Sequence, residues 1–268
     1  MSYYKISFII LIIFLKTGNV LSVENIFNVN NIELSKNPDI SNEQLANQAI
    51  KLAFNELKKK ILLNEDSKKL SYLKPEEIRE LVLYYQIITP KSDDQISDKV
   101  KFNIFFDKEK LHNLFYNKDI LYSEILDKEI YLLPIFKKNE KIFIFNQNFF
   151  YSRWNEVYQN ELIEFVLPLE NIEVIQKINS FKNNLLDLSL SELFQEYIDK
   201  NLALILIEDS GIDKEKIYIK TKILNKNIDK NLIITKSNLN KESFYKKIIN
   251  QISEELILIV KSQNLIDV

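Results

Sequence analysis

Apolar positions recur along the chain in distinct rhythms, and each rhythm assigns an element. After a short strand-like piece at 26–34, Leu45, Ala49, Leu52, Ala53, Leu57 and Ile61 fall three, four and one apart. That spacing lines one face of a long helix. Ser41 followed by Gln44 forms a capping box at its start, and Lys58 to Lys60 lie at its end, where positive charge suits the helix dipole. Pro75 with Glu76 and Glu77 opens a second helix. A period of two then takes over: Val100, Phe102, Ile104 and Phe106 alternate with Lys99, Lys101, Asn103 and Phe105. This predicts a half-buried strand that pairs as a hairpin with the apolar run at 81–88. Asp107 is placed to cap a helix carrying Leu111, Leu114 and Phe115.

The run IYLLPIF at 130–136 has no alternation, as expected of a strand covered on both faces. Pro134 cannot donate to a ladder, which predicts an edge or a bulge at that point. KKNEK is a charged turn, IFIF a returning strand, and Asn148 a cap for a helix with Phe150, Trp154, Val157 and Tyr158 on one face. Trp154 then packs on the sheet. The alternative is an aromatic groove for a hydrophobic or peptide ligand. LIEFVLPLE, containing Pro168, closes a first lobe, and 172–187 reads as a polar connecting helix. Beyond it come a helix at 190–199, a buried strand LALILIED, a turn at Ser210 and Gly211, two more strands, and a helix after Asn240. Its buried side carries Phe244, Ile248, Ile252, Leu256 and Ile259. The pattern predicts a two-lobed α+β protein, with mixed and antiparallel sheets packed by amphipathic helices. Its parts are an N-terminal α+β domain at 23–171, the connector at 172–187 and a small α/β lobe at 188–268.

The first residues follow a different logic. Lys5 precedes the apolar run from Ile6 to Leu15, and Val20-Leu21-Ser22 supplies a cleavage site after Ser22. This is the layout of a secretory signal, and the run is shorter than the ~18–20 residues of a spanning helix. The expected address is the periplasm, with no membrane span once residues 1–22 are removed; an uncleaved anchor is the competing reading. The chain has no cysteine, so an exported form is held by packing without disulfides and carries no lipid on a cysteine.

Composition then removes most chemistries. With 46% hydrophobic and 28% charged residues the chain can bury a core, and its net charge of −2 is spread without a basic block. No nucleic-acid surface is expected. Two glycines exclude a dinucleotide fingerprint and a phosphate loop. Absent cysteine, there is no thiolate nucleophile or zinc cluster, and no metal or cofactor is expected. The single histidine, His112, lies off its helix's apolar stripe and reads as a solvated surface residue. Asp93-Asp94 and Glu208-Asp209 could serve a carboxylate-dependent hydrolase, yet they fall at turns and strand ends, where charge is ordinarily solvated. No catalytic residue is assigned.

The order of these features resembles a family of exported proteobacterial proteins, the domain-of-unknown-function family numbered twenty sixty-six, in its alphaproteobacterial branch. The likeness is carried by Leu133-Pro134-Ile135, Trp154 and Leu167-Pro168-Leu169, and by Tyr197 with Leu204 to Ile207. Asp199 to Asn201 replace the family's glycine, and Phe143 to Phe145 stand where relatives often have Leu-Trp. The C-terminal lobe is also similar to small α/β modules of cell-envelope proteins. The resemblance implies an envelope address and brings no reaction with it. The expectation is a non-enzymatic binding module with an envelope protein partner; a periplasmic carboxylate hydrolase and a carrier of a hydrophobic ligand are the alternatives.

Overall fold

The computed structural model describes residues 25–35, 40–88, 99–158, 162–209, 211, 214–236 and 238–267. The signal segment 1–22 and the Asp93-Asp94 link lie outside them. The protein is α+β and divides into two compact units, one of residues up to 59 with 69–119, the other of 60–68 with 120–268.

In the first unit, β1 (Asn28–Ser35), β2 (Val82–Ile88) and β3 (Lys99–Phe106) form an antiparallel sheet in the order β1-β3-β2. It is accompanied by α1 (Asn42–Ile61), α3 (Pro75–Glu80) and α4 (Lys108–Asn117), whereas α2 (Asn64–Lys69) belongs for the most part to the second unit. The capping box is in place: Ser41 N–H donates to Gln44 Oε1, and Gln44 N–H to Ser41 Oγ. Asp107 accepts from the N–H groups of Glu109 and Lys110. The buried side of α1 follows two rows four residues apart, Leu45-Ala49-Ala53-Leu57-Ile61 and Ala46-Ile50-Phe54. Leu52, expected on that face, lies outside both rows and is exposed. Phe102, Ile104 and Phe106 point inward from β3, with Phe106 against Phe54. His112 is half-buried rather than solvated, because the covered face of α4 is wide enough to set its ring edge-on to Phe27, 5.6 Å between centroids.

The second unit is built on a mixed sheet. β5 (Glu129–Lys138) and β8 (Asn201–Asp209) pair in parallel over nine residues, from Ile130 with Asn201 to Lys138 with Asp209. β9 (Lys214–Ile223) and β10 (Lys226–Thr235) extend the sheet antiparallel beyond β8. On the other side of β5, β6 (Lys141–Phe143) pairs with its end and β7 (Glu164–Val166) with its start. β4 (Tyr122–Ser123) pairs separately with β11 (Leu265–Ile266).

Helices cover both faces of this sheet. Ile130, Leu132, Ala203, Ile205, Ile207, Ile217 and Ile219 face α5 (Phe149–Val157) and α8 (Lys241–Gln263). Leu133, Ile135, Leu202, Leu204 and Leu206 face α6 (Ile172–Ser180), the short α7 (Leu190–Leu193) and the 3-10 turn at Leu185–Asp187. The two central strands are therefore apolar without alternation through their middles, at 130–136 and 202–207, while β9 alternates. All five expected core positions of α8 are buried. Lys261 is also buried there; its Nζ donates to the Leu62 carbonyl, and burial lowers its pKa to about 8.

The division expected at 171 and 172 does not survive this topology. β5 and β8, which were assigned to separate domains, are hydrogen-bonded neighbours, and the expected connector is a covering layer with Ile178 buried beneath it. Periodicity identifies a strand but not its partner, so a parallel crossover of this length is invisible to it. Asn201 fastens the start of the pair: its Nδ2 donates to Asp127 Oδ2 and to the Glu129 carbonyl, and its Oδ1 accepts the Leu224 N–H.

Two tight turns have both central residues at positive φ, Asn139 and Glu140 between β5 and β6, Leu224 and Asn225 between β9 and β10. This geometry matches the twist of the strands and suits Asn or Gly. Leu224, with φ of 47°, is the misfit. Leu224→Asn should stabilise the protein by about 0.5–1 kcal/mol, raising Tm by roughly 1–4 °C in a thermal melt; an unchanged or lower Tm would contradict this turn geometry.

Candidate functional site

The aromatic stretch at 129–158 is structural, and one buried asparagine organises it. Asn148 Oδ1 accepts the Phe150 N–H and caps α5, while its Nδ2 donates to the Pro134 carbonyl at 2.9 Å. Pro134 sits where β5 has left β7 and has not yet met β6, so its missing N–H removes no ladder bond there. Across the other edge it stays in register with Ile205. Trp154 is fully buried, edge-on to Phe165, in the core under α5 and α8. Tyr151, on another side of α5, donates its hydroxyl to the Pro168 carbonyl at 2.7 Å. Pro134, Trp154 and Pro168 are thus tied to one short helix, and none of the three faces an apolar groove. The predicted IFIF strand ends early, at Phe143, because Phe145 turns into a 3-10 segment with its ring buried.

Pro168 does border a cleft of about 460 Å³, which runs past Glu170, Glu173, Glu192 and Glu196 to Tyr197. Lys177 crosses to Glu192 at 3.0 Å. The rim is acidic, with Leu169 exposed on it, while Leu193 and Phe194 line the cleft from the buried side. Among the described residues, no group of three or more potential metal ligands exists.

The second cleft is smaller, about 200 Å³, and chemically sharper. It lies at the carboxyl ends of the parallel pair β5 and β8, beside the first turn of α8, the usual place for a ligand in an open α/β sheet. Glu208 and Asp209, expected to be solvated, are instead matched by parallel register to Lys137 and Lys138 and paired with them. Gly211, at φ of 72°, turns its N–H onto Asp209 Oδ1 at 2.9 Å. Burial would raise the Asp209 pKa, but the hydrogen bonds from Lys138 and Gly211 and the charge of Lys138 hold it below the usual value.

Glu215 is opposite Asp209 on β9 and is 5% exposed. Burial first, and the Asp209 charge second, push its pKa up to about 7 against the pull of Lys138, Lys236 and Lys241. Its Oε2 has no hydrogen-bond partner among the described residues. Leaving a buried polar atom so costs roughly 1–3 kcal/mol. Tyr245 forms a wall, its ring packed on Phe150 and Phe136, and burial with the two carboxylates raises its own pKa. The sequence carried a signal for Glu215 that charge alone concealed. It shares the inward phase of β9 with Ile217, Ile219, Thr221 and Ile223, so period two places it inside.

In the first unit, β2 presents a different kind of surface. Between Val82 and Ile88 it has no charged residue, and Leu83, Tyr84, Tyr85, Ile87 and Ile88 are all exposed. Its outer edge pairs with no strand among the described residues.

The chain matches no family model and no curated protein. Among solved structures, the crystal structure of an uncharacterized protein covers 52% of this chain and 94% of that chain, at 7% identity and a TM-score of 0.22. A likeness of that strength bears on neither fold nor function.

Glu215 makes stability depend on pH in a defined direction. Its folded pKa lies above the unfolded value near 4.5, so the folded state holds the proton more tightly. The resulting stabilisation is complete below about pH 4.5 and is lost as pH rises through about 7. Glu215→Gln should remove that component. Denaturant melts should show the variant gaining on the parent protein as pH rises from about 5 to 8; parallel profiles would contradict a raised pKa.

Proposed function

We propose that this protein is an exported, non-enzymatic binding module of the cell envelope, and that it engages an extended, uncharged and apolar-rich segment of a partner protein along the outer edge of β2. The observation that carries the reading is the exposed apolar edge itself. Natural edge strands are guarded by lysine, proline, an inward charge or a bulge; 82–88 has a bulge between Val82 and Tyr84, and none of the other guards along its length. A strand added there would gain main-chain hydrogen bonds, with Leu83, Tyr85 and Ile87 offering contacts on one face. The edge is ordered in advance: Tyr84 stacks on Phe105 at 4.3 Å, and β2 is paired along β3. An uncharged strand complements an uncharged segment, since a charge opposite it would lose water without a partner.

The envelope address is supported by the Lys5 to Ser22 layout and by the family resemblance through Pro134, Trp154 and Pro168. Among the described residues, no helix is long and apolar enough to cross a membrane. The carrier alternative finds its support in a cleft of about 240 Å³ that Ile142, Ile144, Phe145 and Ile175 line; the cleft beside Glu215 is lined largely by charged side chains, and the one beside Pro168 is mixed, with an acidic rim. The hydrolase alternative draws on Asp93-Asp94, outside the described residues, and on Glu208-Asp209, which are paired with Lys137 and Lys138; Asp209 also faces Glu215.

Photo-crosslinking residues placed at Leu83 and Ile87 in the native cell test the proposal. The expected outcome is one partner adduct from both positions, mapped to an extended segment of that partner, and none from exposed Tyr116. Ile87→Lys should abolish the adduct from position 83, and the crosslinked chain should begin at Val23. Adducts only with a second copy of the chain, or none at all, would contradict it.

A further inference from the structure

The cleft at the ends of β5 and β8 holds features that binding along β2 leaves unused. Glu215 Oε2 is buried without a hydrogen-bond partner among the described residues, and the side chain lines the cleft. A native protein rarely leaves such an atom unsatisfied unless something else occupies the place. Lys236 and Lys241 line the same space. No carboxylate is paired with either among the described residues, and Lys241 lies over the Tyr245 ring. The first turn of the 23-residue α8 starts here too, and a helix N-terminus favours negative charge.

We propose that this cleft binds a small oxyanion, a carboxylate or phosphate group held by a hydrogen bond with the Glu215 carboxyl and by charge-assisted bonds from Lys236 and Lys241. The charges facing it come from every neighbouring element: Lys138 on β5, Asp209 on β8, Lys214 with Glu215 on β9, Lys236 after β10, and Lys241 with Tyr245 on α8. Lysines outnumber carboxylates, and Asp209 is already occupied by Lys138 and the Gly211 N–H, so it is not available to hold a cation. A carboxyl that stays neutral near pH 7 is a donor, which an anion's oxygen requires and a cation cannot use. A space of about 200 Å³ suits one phosphate or a short carboxylate, and excludes a nucleotide or a lipid chain.

Sulfate is the first probe, because its charge is constant between about pH 6 and 8.5. Calorimetric titration of the full chain should show binding at about pH 6 that weakens roughly 30-fold by about pH 8.5, as one group with a pKa near 7 loses its proton. Glu215→Gln keeps a donor without a titrating proton, so its affinity should stay constant across that range. The Lys236→Ala/Lys241→Ala pair should weaken binding at least tenfold at both pH values while leaving Tm within a few degrees. Methyl phosphate and acetate distinguish the sources: the tighter of the two names the head group of the ligand. No binding of any probe, or binding insensitive to pH and to the lysine pair, would overturn the proposal.

Discussion

The parallel pairing of β5 with β8 is the constraint on which the second unit depends. Nine consecutive residues of each strand are matched, and both strands are buried on both faces, so neither can be satisfied without its neighbour and its covering helices. The register does chemical work at both ends. At the start it brings Asn201 against Asp127 and Glu129. At the finish it lays Lys137 and Lys138 beside Glu208 and Asp209 and leaves the carboxyl ends open toward α8. A slip of one residue would reverse the two faces and separate both ion pairs.

Asn148 answers the difficulty created by Pro134. A proline in an interior strand would ordinarily forfeit a ladder bond, but here the two partial strands β6 and β7 leave a gap, and the Asn148 amide supplies the donor for the Pro134 carbonyl. The same side chain starts α5, which lowers Trp154 into the core. Proline, asparagine and tryptophan thus act as one joint between sheet and helix.

Local chemistry in the sequence was legible; partnership between distant segments was not. Ser41, Asp107, Asn148 and Asn240 all cap the helices they precede, because a cap is decided within three residues. The alternation of Phe102, Ile104 and Phe106 survives because one face of β3 is covered. The domain boundary failed because it needed the partner of IYLLPIF, which lies 71 residues away in LALILIED and leaves no periodic mark. His112 and Leu52 moved for a related reason, since the width of a buried helix face is set by what packs on it. Glu215 was readable from its phase on β9, yet a charged residue between two lysines looks solvated until the strand's neighbours are known.

The parallel pair, the turn at Gly211 and the N-terminus of α8 converge on one buried carboxyl that keeps its proton near neutrality. Carbon-13 NMR titration of the Glu215 side-chain carboxyl, assigned by its loss in Glu215→Gln, measures this directly. A midpoint near pH 7 is the result expected from its burial beside Asp209. A midpoint at the ordinary glutamate value, about 4.3, would mean that Glu215 is hydrated and that the cleft holds no neutral donor.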